Sequence, residues 1–403
     1  MRRSTEAFLT THAGRLERPD HLTQAMERSP QGRPKDEGFA KELEQAVRGT
    51  VARQHELGID VVGDGEFGKL SWNTYLYTRL AGHELVPKGD GPSRSLRTSG
   101  GITPERKAFA AFYDAMESQD HHYAHRSPGK RVPDGMMWAC TGPVSYAGQE
   151  ALHADLKNLR QAVDACGIEE AFIPSTSAIN PRTNKFYKSD EDYYVAVGEA
   201  MRTEYRAIID AGFILQIDDP HLAALGALGD DSITTAQVRR RAAAHVAIVN
   251  HSLRDLPEDR IRYHVCWGSW HGPHTHDVPL AEIVDIVLGV HVQGYVLEAA
   301  NARHEHEWMV WKNTKLPEGK ILIPGLVSHA TNVVEHPDLV AWRLQNFASV
   351  VGMENIIAGT DCGLGYRVHP QIADAKLAAL AEGAARATKM LKGRPVAQGA
   401  RVG

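Results

Sequence analysis

The sequence predicts an α/β protein with the (βα)8 barrel fold, a TIM barrel, elaborated by an insertion after the second strand. Short β-rich runs alternate with longer amphipathic segments, enough of these units follow one another to close a barrel, and polar residues recur where the runs end. Strand–helix alternation is typical of parallel sheets, and eight consecutive units favour a closed barrel. A doubly wound open sheet is the alternative.

The strand-like runs are short, apolar and followed by loops. They are AFLTTHAG (7–14), DVVGDGEF (60–67), MMWACTGPVS (136–145), FILQIDDP (213–220), RYHVCWG (262–268), YVLEAAN (295–301), ILIPGLVSH (321–329) and IIAGTDCGLG (356–365). A further run, EEAFIPSTSAI (169–179), exceeds the number that the fold requires. One candidate strand is therefore surplus or belongs to an insertion.

Amphipathic segments between the runs predict helices. Examples are FAKELEQAVRGTVARQHELG (39–58) and SDEDYYVAVGEAMRTEYRAIIDAG (189–212), the second of which ends in a glycine suited to a helix C-terminus. Residues 70–133 interrupt the rhythm with Gly, Ser, Pro, Arg and His, and contain one helical stretch near TPERKAFAAFYDAMES (103–118). We expect a single barrel domain over 1–403, with residues 70–133 covering its mouth or forming an oligomer contact.

Composition excludes several classes of function. The formal charge of −5 is mild and the basic residues form no long run, so we expect no nucleic-acid partner. No apolar run is long enough to span a bilayer, and the N-terminal residues lack the apolar region of a signal peptide. Four cysteines in such a long chain suit a cytoplasmic protein with free or metal-bound thiols. Formation of a homo-oligomer stays open.

Reactive side chains end most of the strand-like runs. They are His12, Glu66, Asp218, His264, Cys266, Glu298, His329 and Cys362. Buried polar groups are costly unless they are paired or bind a ligand, so a purely structural barrel would not need this pattern. Active sites of (βα)8 barrels lie at the C-terminal ends of the strands. The recurrence therefore predicts an active site there.

Four of these residues have the chemistry of zinc ligands. His264 and Cys266 are two residues apart on one run, so their side chains point to the same face of a strand. Glu298 and Cys362 end two later runs. Zinc accepts Cys, His and Glu and usually takes four ligands. The four residues would complete a tetrahedral site, and buried structural residues are the alternative.

Several linked motifs resemble the catalytic barrel of the cobalamin-independent methionine synthases. They are His264-Val265-Cys266, Glu298, Asp361-Cys362-Gly363, DGEF (64–67), TGPVS (141–145), LQIDDPHL (215–222) and PGLVSHATNVVEHPDLV (324–340). They occur in the family's order over most of the chain, and residues 70–133 and 169–190 match poorly. Several motifs in order are more specific than any one motif alone.

The resemblance implies one Zn²⁺ bound by His264, Cys266, Glu298 and Cys362. It also implies a methyltransferase of the 5-methyltetrahydropteroyltriglutamate–homocysteine S-methyltransferase type, acting in methionine biosynthesis. Zinc keeps a bound thiol deprotonated and nucleophilic, which a free thiol with a pKa of about 8.5 is not at neutral pH. The expected partners are a small thiol and an alkyl donor, which is methylfolate, a methylcorrinoid protein or an epoxide.

Other residue roles follow from the same resemblance. Glu66 and Asp218 match acidic residues that hold the amino group of homocysteine, and a helix cap or salt bridge is the alternative for each. His329 matches a histidine that protonates the leaving group, which suits a side chain with a pKa near 6.5, and a core histidine is the alternative. His12, at the end of the first run, is a further candidate for substrate binding.

The chain departs from the family at Arg15. The usual glycine–serine step is AGRL here, which places Arg15 where serine is expected. A cation at that position suits an acceptor with a sulfonate or carboxylate, unless Arg15 pairs with Glu17 or Asp20. Short relatives also include epoxyalkane:coenzyme M transferases, which open an epoxide with a zinc-bound thiolate.

Two other classes of function stay open: a metal-free decarboxylase of the uroporphyrinogen type, and a barrel that binds ligands without catalysis. The loop histidines His271, His274 and His276, together with His304 and Glu307, form a second metal site or a hydrogen-bonded polar rim. The tryptophans Trp138, Trp267 and Trp270 stack on a substrate or pack in the core.

Overall fold

The computed structural model describes residues 1–29, 32–88, 104–118, 135–179, 183–225, 234–268 and 272–392. Its strands are β1 (Leu9–Thr10), β2 (Val61–Gly63), β3 (Leu80–Pro87), β4 (Met136–Tyr146), β5 (Glu170–Thr176), β6 (Thr183–Asn184), β7 (Ile214–Asp219), β8 (Ile261–Val265), β9 (Gly294–Leu297), β10 (Ile321–Val327) and β11 (Ile357–Thr360). Eight of these strands form one parallel sheet in the order β1-β11-β10-β9-β8-β7-β5-β2. A parallel bridge between Thr11 and Val61 joins the two ends of that sheet and closes the barrel.

Helices separate the barrel strands along the chain. They are α1 (Asp20–Arg28), α2 (Glu37–Glu56), α3 (Trp72–Arg79), α4 (Pro104–Ala108), α5 (Ala110–Ser118), α6 (Gln149–Cys166), α7 (Asp190–Asp210), α8 (Thr235–Leu253), α9 (Leu280–Val287), α10 (Pro337–Val351) and α11 (Pro370–Lys392). A 3-10 helix, Glu305–Lys312, takes the place of an α-helix between β9 and β10. The (βα)8 barrel predicted from the sequence is confirmed.

The surplus strand is the run at 136–145, and not the run at 169–179. β5 pairs with β2 and β7 as a barrel strand, and all seven of its residues are buried. β4 instead pairs with β3 in a separate three-stranded sheet with β6. The burial of β4 is mixed, which suits a strand that is covered on one side only. The run at 136–145 is therefore the candidate strand that lies outside the barrel, a question that the sequence left open.

The segment after β2 is an elaborated connection, as the sequence predicted. α3, β3, α4, α5 and β4 all lie between the barrel strands β2 and β5. Glu105 of α4 accepts a hydrogen bond from the backbone N–H of Thr275, at 2.7 Å, in the loop after β8. Residues 89–103 and 119–134 of this connection lie outside the described residues.

Local sequence signals explain where the longer helices begin. Asp36 caps α2 by accepting from the backbone N–H of Phe39, and Ser189 caps α7 by accepting from that of Asp192. Thr234 and Gln237 form a capping box at the start of α8. In the described part of the chain, no helix is long and apolar enough to cross a membrane.

Candidate metal centre

Three metal-type side chains converge at the C-terminal ends of β8 and β11. They are His264, Cys266 and Cys362, which we call the donor group, and one ligand atom from each lies within 4.8 Å of the others. The sulfur atoms of Cys266 and Cys362 are 3.9 Å apart, well beyond the bonded distance of about 2.05 Å in a disulfide. Neither thiol forms a disulfide; His264 and Cys266 are buried, and Cys362 is partly buried. The barrel therefore brings three of the four predicted zinc ligands together.

The His264 ring uses its two nitrogens differently. Nδ1 lies 2.8 Å from Oδ1 of Asp218. Nε2 is buried, and no atom of the described residues forms a hydrogen bond of regular geometry with it. Burial lowers the pKa of His264, but the side chains of Asp218 and Cys362 outweigh burial and raise the pKa to about 10. A metal cation at Nε2 would take the place of that proton.

The two thiols of the donor group shift each other's pKa in opposite directions. The hydrogen bond from Cys266 lowers the pKa of Cys362 well below its ordinary value, and His264 and His329 contribute in the same direction. The same contact with Cys362, together with burial, raises the pKa of Cys266. One sulfur of the pair is therefore ready to act as a thiolate ligand, since zinc binds the deprotonated form.

Glu298 lies beside the donor group in a second cluster. Its carboxylate, a ring nitrogen of His329 and the Asp361 carboxylate lie within 4.8 Å of one another, and all three residues are buried. Oε1 of Glu298 accepts from the backbone N–H of Trp267 at 3.1 Å, and Oε2 accepts from Asn301 at 2.8 Å. Burial and Asp361 raise the pKa of Glu298 well above its ordinary value. In this structure Glu298 thus contacts the loops around the donor group.

Asp361 braces the loop after β9. Its Oδ1 accepts from the backbone N–H groups of Ala299 and Ala300, at 2.7 and 2.8 Å, and its Oδ2 accepts from Asn301 at 3.1 Å. Asn301 therefore joins Asp361 to Glu298. Sequence reasoning missed Asn301, although it ends the same strand-like run as Glu298.

Arg15 and Glu66 form an ion pair at the same end of the barrel. Nη1 of Arg15 lies 3.6 Å from Oε2 of Glu66, and the guanidinium also donates to the backbone carbonyls of Lys69 and Leu70. The partner of Arg15 is thus Glu66 and neither Glu17 nor Asp20. Burial raises the pKa of Glu66 to about 7, although Arg15 and Lys69 oppose the rise.

Arg15 also lies next to the loop that carries Cys362. A Cβ atom built on Gly363 would come within 2.5 Å of Cβ of Arg15, so only glycine allows the two loops to approach this closely. The charged pair and the donor group therefore border the same part of the barrel mouth.

His12 is enclosed by protein. Its Nε2 lies 2.8 Å from Oε1 of Gln54, and its Nδ1 accepts from the backbone N–H of Gly14 at 3.1 Å. Burial and the charge of Arg262 lower the pKa of His12 to about 3, so the ring is neutral. These contacts match a structural role more closely than the predicted substrate contact.

A chain of side chains that sequence reasoning missed runs through the barrel interior. Arg262 donates to Oε1 of Gln216 at 2.7 Å, and Nε2 of Gln216 donates to Oδ1 of Asp218 at 2.7 Å. Arg262 also reaches Thr11 and the carbonyl of His12 across the barrel. The spacing was visible, because Arg262, His264 and Cys266 alternate along one strand and so share a face.

Of the loop histidines, His274 belongs to a separate and largely buried network, which we call the histidine–carboxylate cluster: His274, Asp277, His304 and Glu307. Nδ1 of His304 lies 2.8 Å from Glu307, and its Nε2 lies 3.3 Å from Asp277. Nδ1 of His274 lies 3.0 Å from Asp277. The cluster is hydrogen-bonded internally, as expected of a polar rim.

The remaining predicted aromatic and loop residues lie apart from the donor group or pack internally. Trp267 is buried, donates to the carbonyl of Val278 and packs on the ring of His304 at 4.5 Å between centroids. Trp138 stacks on Tyr77 in the smaller sheet, at 4.7 Å. His276 is exposed, and Trp270 and His271 lie outside the described residues.

The donor group fits a zinc ion. Two sulfur atoms and one imidazole nitrogen are ligand types that zinc prefers, and Nε2 of His264 is a buried nitrogen to which the described residues supply no hydrogen bond of regular geometry. The Nδ1 contact with Asp218 completes the carboxylate–histidine arrangement common around zinc. A water or substrate sulfur and Glu298 are the candidates for the fourth position.

No protein-family model matches the sequence. The chain is 23% identical over 374 residues to YxjH of Bacillus subtilis, which covers 88% of this chain and 87% of that protein. It is 23% identical over 380 residues to the 2-hydroxypropyl-CoM lyase of Xanthobacter autotrophicus, and this match covers 87% of this chain and 86% of that protein. It is 26% identical over 254 residues to the methionine synthase of Methanothermobacter marburgensis, covering 60% of this chain and 72% of that protein.

A solved structure has the same fold as this chain. A B12-independent methionine synthase from a Shewanella species, in complex with selenomethionine, superposes with a TM-score of 0.68 at 19% identity, covering 96% of this chain and 99% of the other. The chain has the fold of the B12-independent methionine synthases. The methionine-synthase-like barrel extends over nearly the full lengths of both proteins, and the resemblance predicted from the motifs is confirmed.

Proposed function

We propose that this protein is a zinc-dependent alkyltransferase that activates a small thiol and transfers an alkyl group to its sulfur. The observation that carries the proposal is the convergence of His264, Cys266 and Cys362 within 4.8 Å at the barrel mouth. Barrels of this class carry their active sites at that end. We propose Glu298 as the fourth ligand and as the one that yields when the thiol arrives.

Two of the relatives support a reaction at the sulfur of a small thiol. Methionine and 2-hydroxypropyl-CoM are both thioethers, so a methionine synthase and a 2-hydroxypropyl-CoM lyase both handle a bond between carbon and the sulfur of a small thiol. A thiol acceptor is therefore the common element. The alkyl donors of the two reactions differ, and we propose methyl transfer as the first candidate.

When bound, zinc supplies the positive charge that keeps the acceptor thiol ionised at neutral pH. His264, Cys266 and Cys362 hold the ion, and two thiolates reduce its net charge, which preserves the nucleophilicity of the acceptor sulfur. The sulfur then attacks the alkyl carbon, and the bond from that carbon to the donor breaks. His329, close to Glu298, is our candidate to give the departing group a proton.

We propose that Arg15 and Glu66 bind the charged end of the acceptor. A guanidinium matches a carboxylate or sulfonate, and an adjacent carboxylate matches an ammonium group. The ion pair of the two residues is therefore complementary to the zwitterion of an amino-acid thiol such as homocysteine.

The second candidate is addition of a sulfonated thiol such as coenzyme M to an epoxide. Glu66 already has a cationic partner in Arg15, so a sulfonate at Arg15 would not meet an uncompensated carboxylate. The 2-hydroxypropyl-CoM lyase covers 87% of this chain, a larger share than the 60% covered by the methionine synthase. Both candidates need the same donor group.

We propose that α4, in the described part of the connection between β2 and β5, covers the mouth. The hydrogen bond from Thr275 to Glu105 joins α4 to the loop that follows β8, next to the donor group. An oligomer contact formed by this connection is the alternative, and the oligomeric state of Glu105→Ala and wild-type protein separates the two.

The experiment is a product assay with zinc-loaded protein. Homocysteine and coenzyme M are each incubated with 5-methyltetrahydrofolate, methylcobalamin or epoxypropane, and thioethers are measured by mass spectrometry. We expect one thiol–donor pair to give a zinc-dependent thioether. Tight zinc binding without thiol binding would favour a silent barrel, and a protein that binds no zinc would favour the metal-free decarboxylase.

A further inference from the structure

We infer that Asp218 is a positioning residue for His264: it fixes the imidazole so that Nε2 points at the metal. This inference rests on the proposed function. It also gives Asp218 a different role from the one suggested by the resemblance, in which this carboxylate holds the ammonium group of the acceptor.

The first observation is the pairing of adjacent strands. Asp218 of β7 and His264 of β8 are register partners, and so are Gln216 and Arg262 two residues earlier. Side chains at alternate positions of a strand share a face, so each strand presents two polar side chains to the barrel interior. The register therefore sets Asp218 directly beside His264, which makes their contact a property of the sheet.

The second observation is the hydrogen bonding of the Asp218 carboxylate. Oδ1 contacts Nδ1 of His264 at 2.8 Å and accepts from Nε2 of Gln216 at 2.7 Å. An anionic oxygen in contact with Nδ1 requires a proton on that nitrogen. The neutral imidazole then has its lone pair on Nε2, the nitrogen that lacks a hydrogen bond and that ligation requires.

The third observation is what holds Asp218 itself. Gln216 is fixed by Arg262, at 2.7 Å, and also donates to the carbonyl of Ala13 at 2.9 Å. Arg262 is buried, and its guanidinium donates to the hydroxyl of Thr11 and to the backbone carbonyl of His12. The guanidinium also packs over the ring of Phe172, with its Cζ 3.6 Å from the ring centroid. A chain of hydrogen bonds thus joins one side of the barrel to the imidazole and resists rotation of the carboxylate.

The contacts of Asp218 with His264 and Gln216 both use Oδ1, so Oδ2 is the atom that an ammonium group would meet. The two roles therefore make different predictions. Positioning of His264 affects metal binding for every thiol, whereas ammonium binding affects only thiols that carry an amine.

The chain offers a matched control in the next residue. Asp219 points to the other face of β7, where it lies 2.6 Å from His245 of α8 and accepts from Tyr263 at 2.9 Å. It is a buried carboxylate–histidine pair of the same kind; its side chain lies on the opposite face from Asp218, and only its backbone carbonyl contacts the donor group, by accepting from the N–H of Cys266 at 3.2 Å. Asp219→Asn therefore measures the general effect of neutralising a buried carboxylate of this strand.

The experiment compares wild type, Asp218→Asn, Asp218→Glu and Asp219→Asn. Zinc affinity is measured by competition with a chelator, and the affinity of zinc-saturated protein is measured for homocysteine and for 4-mercaptobutyrate, which lacks the amine. We expect Asp218→Asn to weaken zinc binding by about 10–100-fold and to affect both thiols equally. Asp218→Glu should restore part of the zinc affinity, and Asp219→Asn should retain it.

Unchanged zinc affinity in Asp218→Asn, with loss of homocysteine binding alone, would overturn the inference in favour of ammonium binding. Equal zinc losses in Asp218→Asn and Asp219→Asn would overturn it in favour of a general effect. Should the variants fail to fold, histidine ¹⁵N chemical shifts of zinc-loaded wild type give the answer directly: zinc at Nε2 of His264 supports the inference, and zinc at Nδ1 overturns it.

These outcomes are distinct from a failure of the proposed function. Wild-type protein that binds zinc but alkylates no thiol would overturn only the function and leave the role of Asp218 measurable. Wild-type protein that binds no zinc would overturn both.

Discussion

The donor group and the histidine–carboxylate cluster lie on neighbouring loops and contain similar residues, yet their hydrogen bonding differs. Both ring nitrogens of His304 contact carboxylates, Glu307 at 2.8 Å and Asp277 at 3.3 Å. In His264 one nitrogen contacts Asp218, and the other lies among sulfur atoms. A dense group of histidines is therefore a poor guide to a metal site. The better guide is a histidine with one ring nitrogen held by a carboxylate and the ring close to two thiols.

The largest effect is expected from loss of a sulfur in the donor group. Cys362→Ser should weaken zinc binding on the order of 10³-fold or more, because it removes one of the two thiolate ligands that the donor group offers to the ion. Zinc content and chelator competition measure the loss. Cys140→Ser and Cys166→Ser are the matched controls and should keep one zinc per chain. Full occupancy in Cys362→Ser would remove the distinction between the two clusters.

The next effect concerns His329, which belongs to neither the donor group nor the histidine–carboxylate cluster and lies within 4.8 Å of Glu298 and Asp361. His329→Asn should keep zinc and thiol affinity but lower turnover by roughly 10²–10⁴-fold, because the leaving group loses its proton donor. Steady-state rates and zinc content are measured together. Loss of zinc in this variant would place His329 among the ligands.

A third prediction concerns the pH dependence of the free energy of unfolding, which we expect to come from the histidine–carboxylate cluster. Burial lowers the pKa of His304, but Asp277 and Glu307 raise it to about 10, above the 6.5 of an unfolded histidine. The stabilisation is therefore complete below about pH 6.5 and is lost as pH rises toward 10. The free energy of unfolding should fall by roughly a few kcal/mol across that window.

His304→Gln is the control for that pH dependence. Urea unfolding of this variant should show a much smaller decrease between pH 6.5 and 10, and it should still bind one zinc per chain. An unchanged pH dependence in the variant would show that another group is responsible. Loss of zinc would show that the cluster contributes to the metal site.

The smallest expected effects are on acceptor selectivity. Arg15→Ala should weaken binding of homocysteine, 4-mercaptobutyrate and coenzyme M by about 10–100-fold, since each loses a charged hydrogen bond of about 1.5–3 kcal/mol. Glu66→Gln should weaken only homocysteine, whose ammonium loses its carboxylate. Calorimetric titration of zinc-loaded protein measures both. Equal losses of all three thiols in Glu66→Gln would show that the residue acts through Arg15.

The sequence predicted the barrel and the reactive strand ends, because strand periodicity and apolar content report burial directly. It did not identify the surplus strand, since the run at 136–145 is as apolar as β5 and only pairing distinguishes them. His264 and Cys266 were found because they are close in sequence. The partners of Arg15, Asp218 and His304 are distant in sequence, and only the fold brings such pairs together.

The central claim is that the donor group holds a zinc ion that binds the acceptor thiol. Zinc K-edge X-ray absorption of the wild-type protein, with and without homocysteine or coenzyme M, tests it most directly. The account predicts one zinc per chain with two sulfur ligands and one imidazole, and a rise to three sulfur ligands when the acceptor is added. Two sulfur ligands under both conditions, with either thiol at saturating concentration, would contradict it.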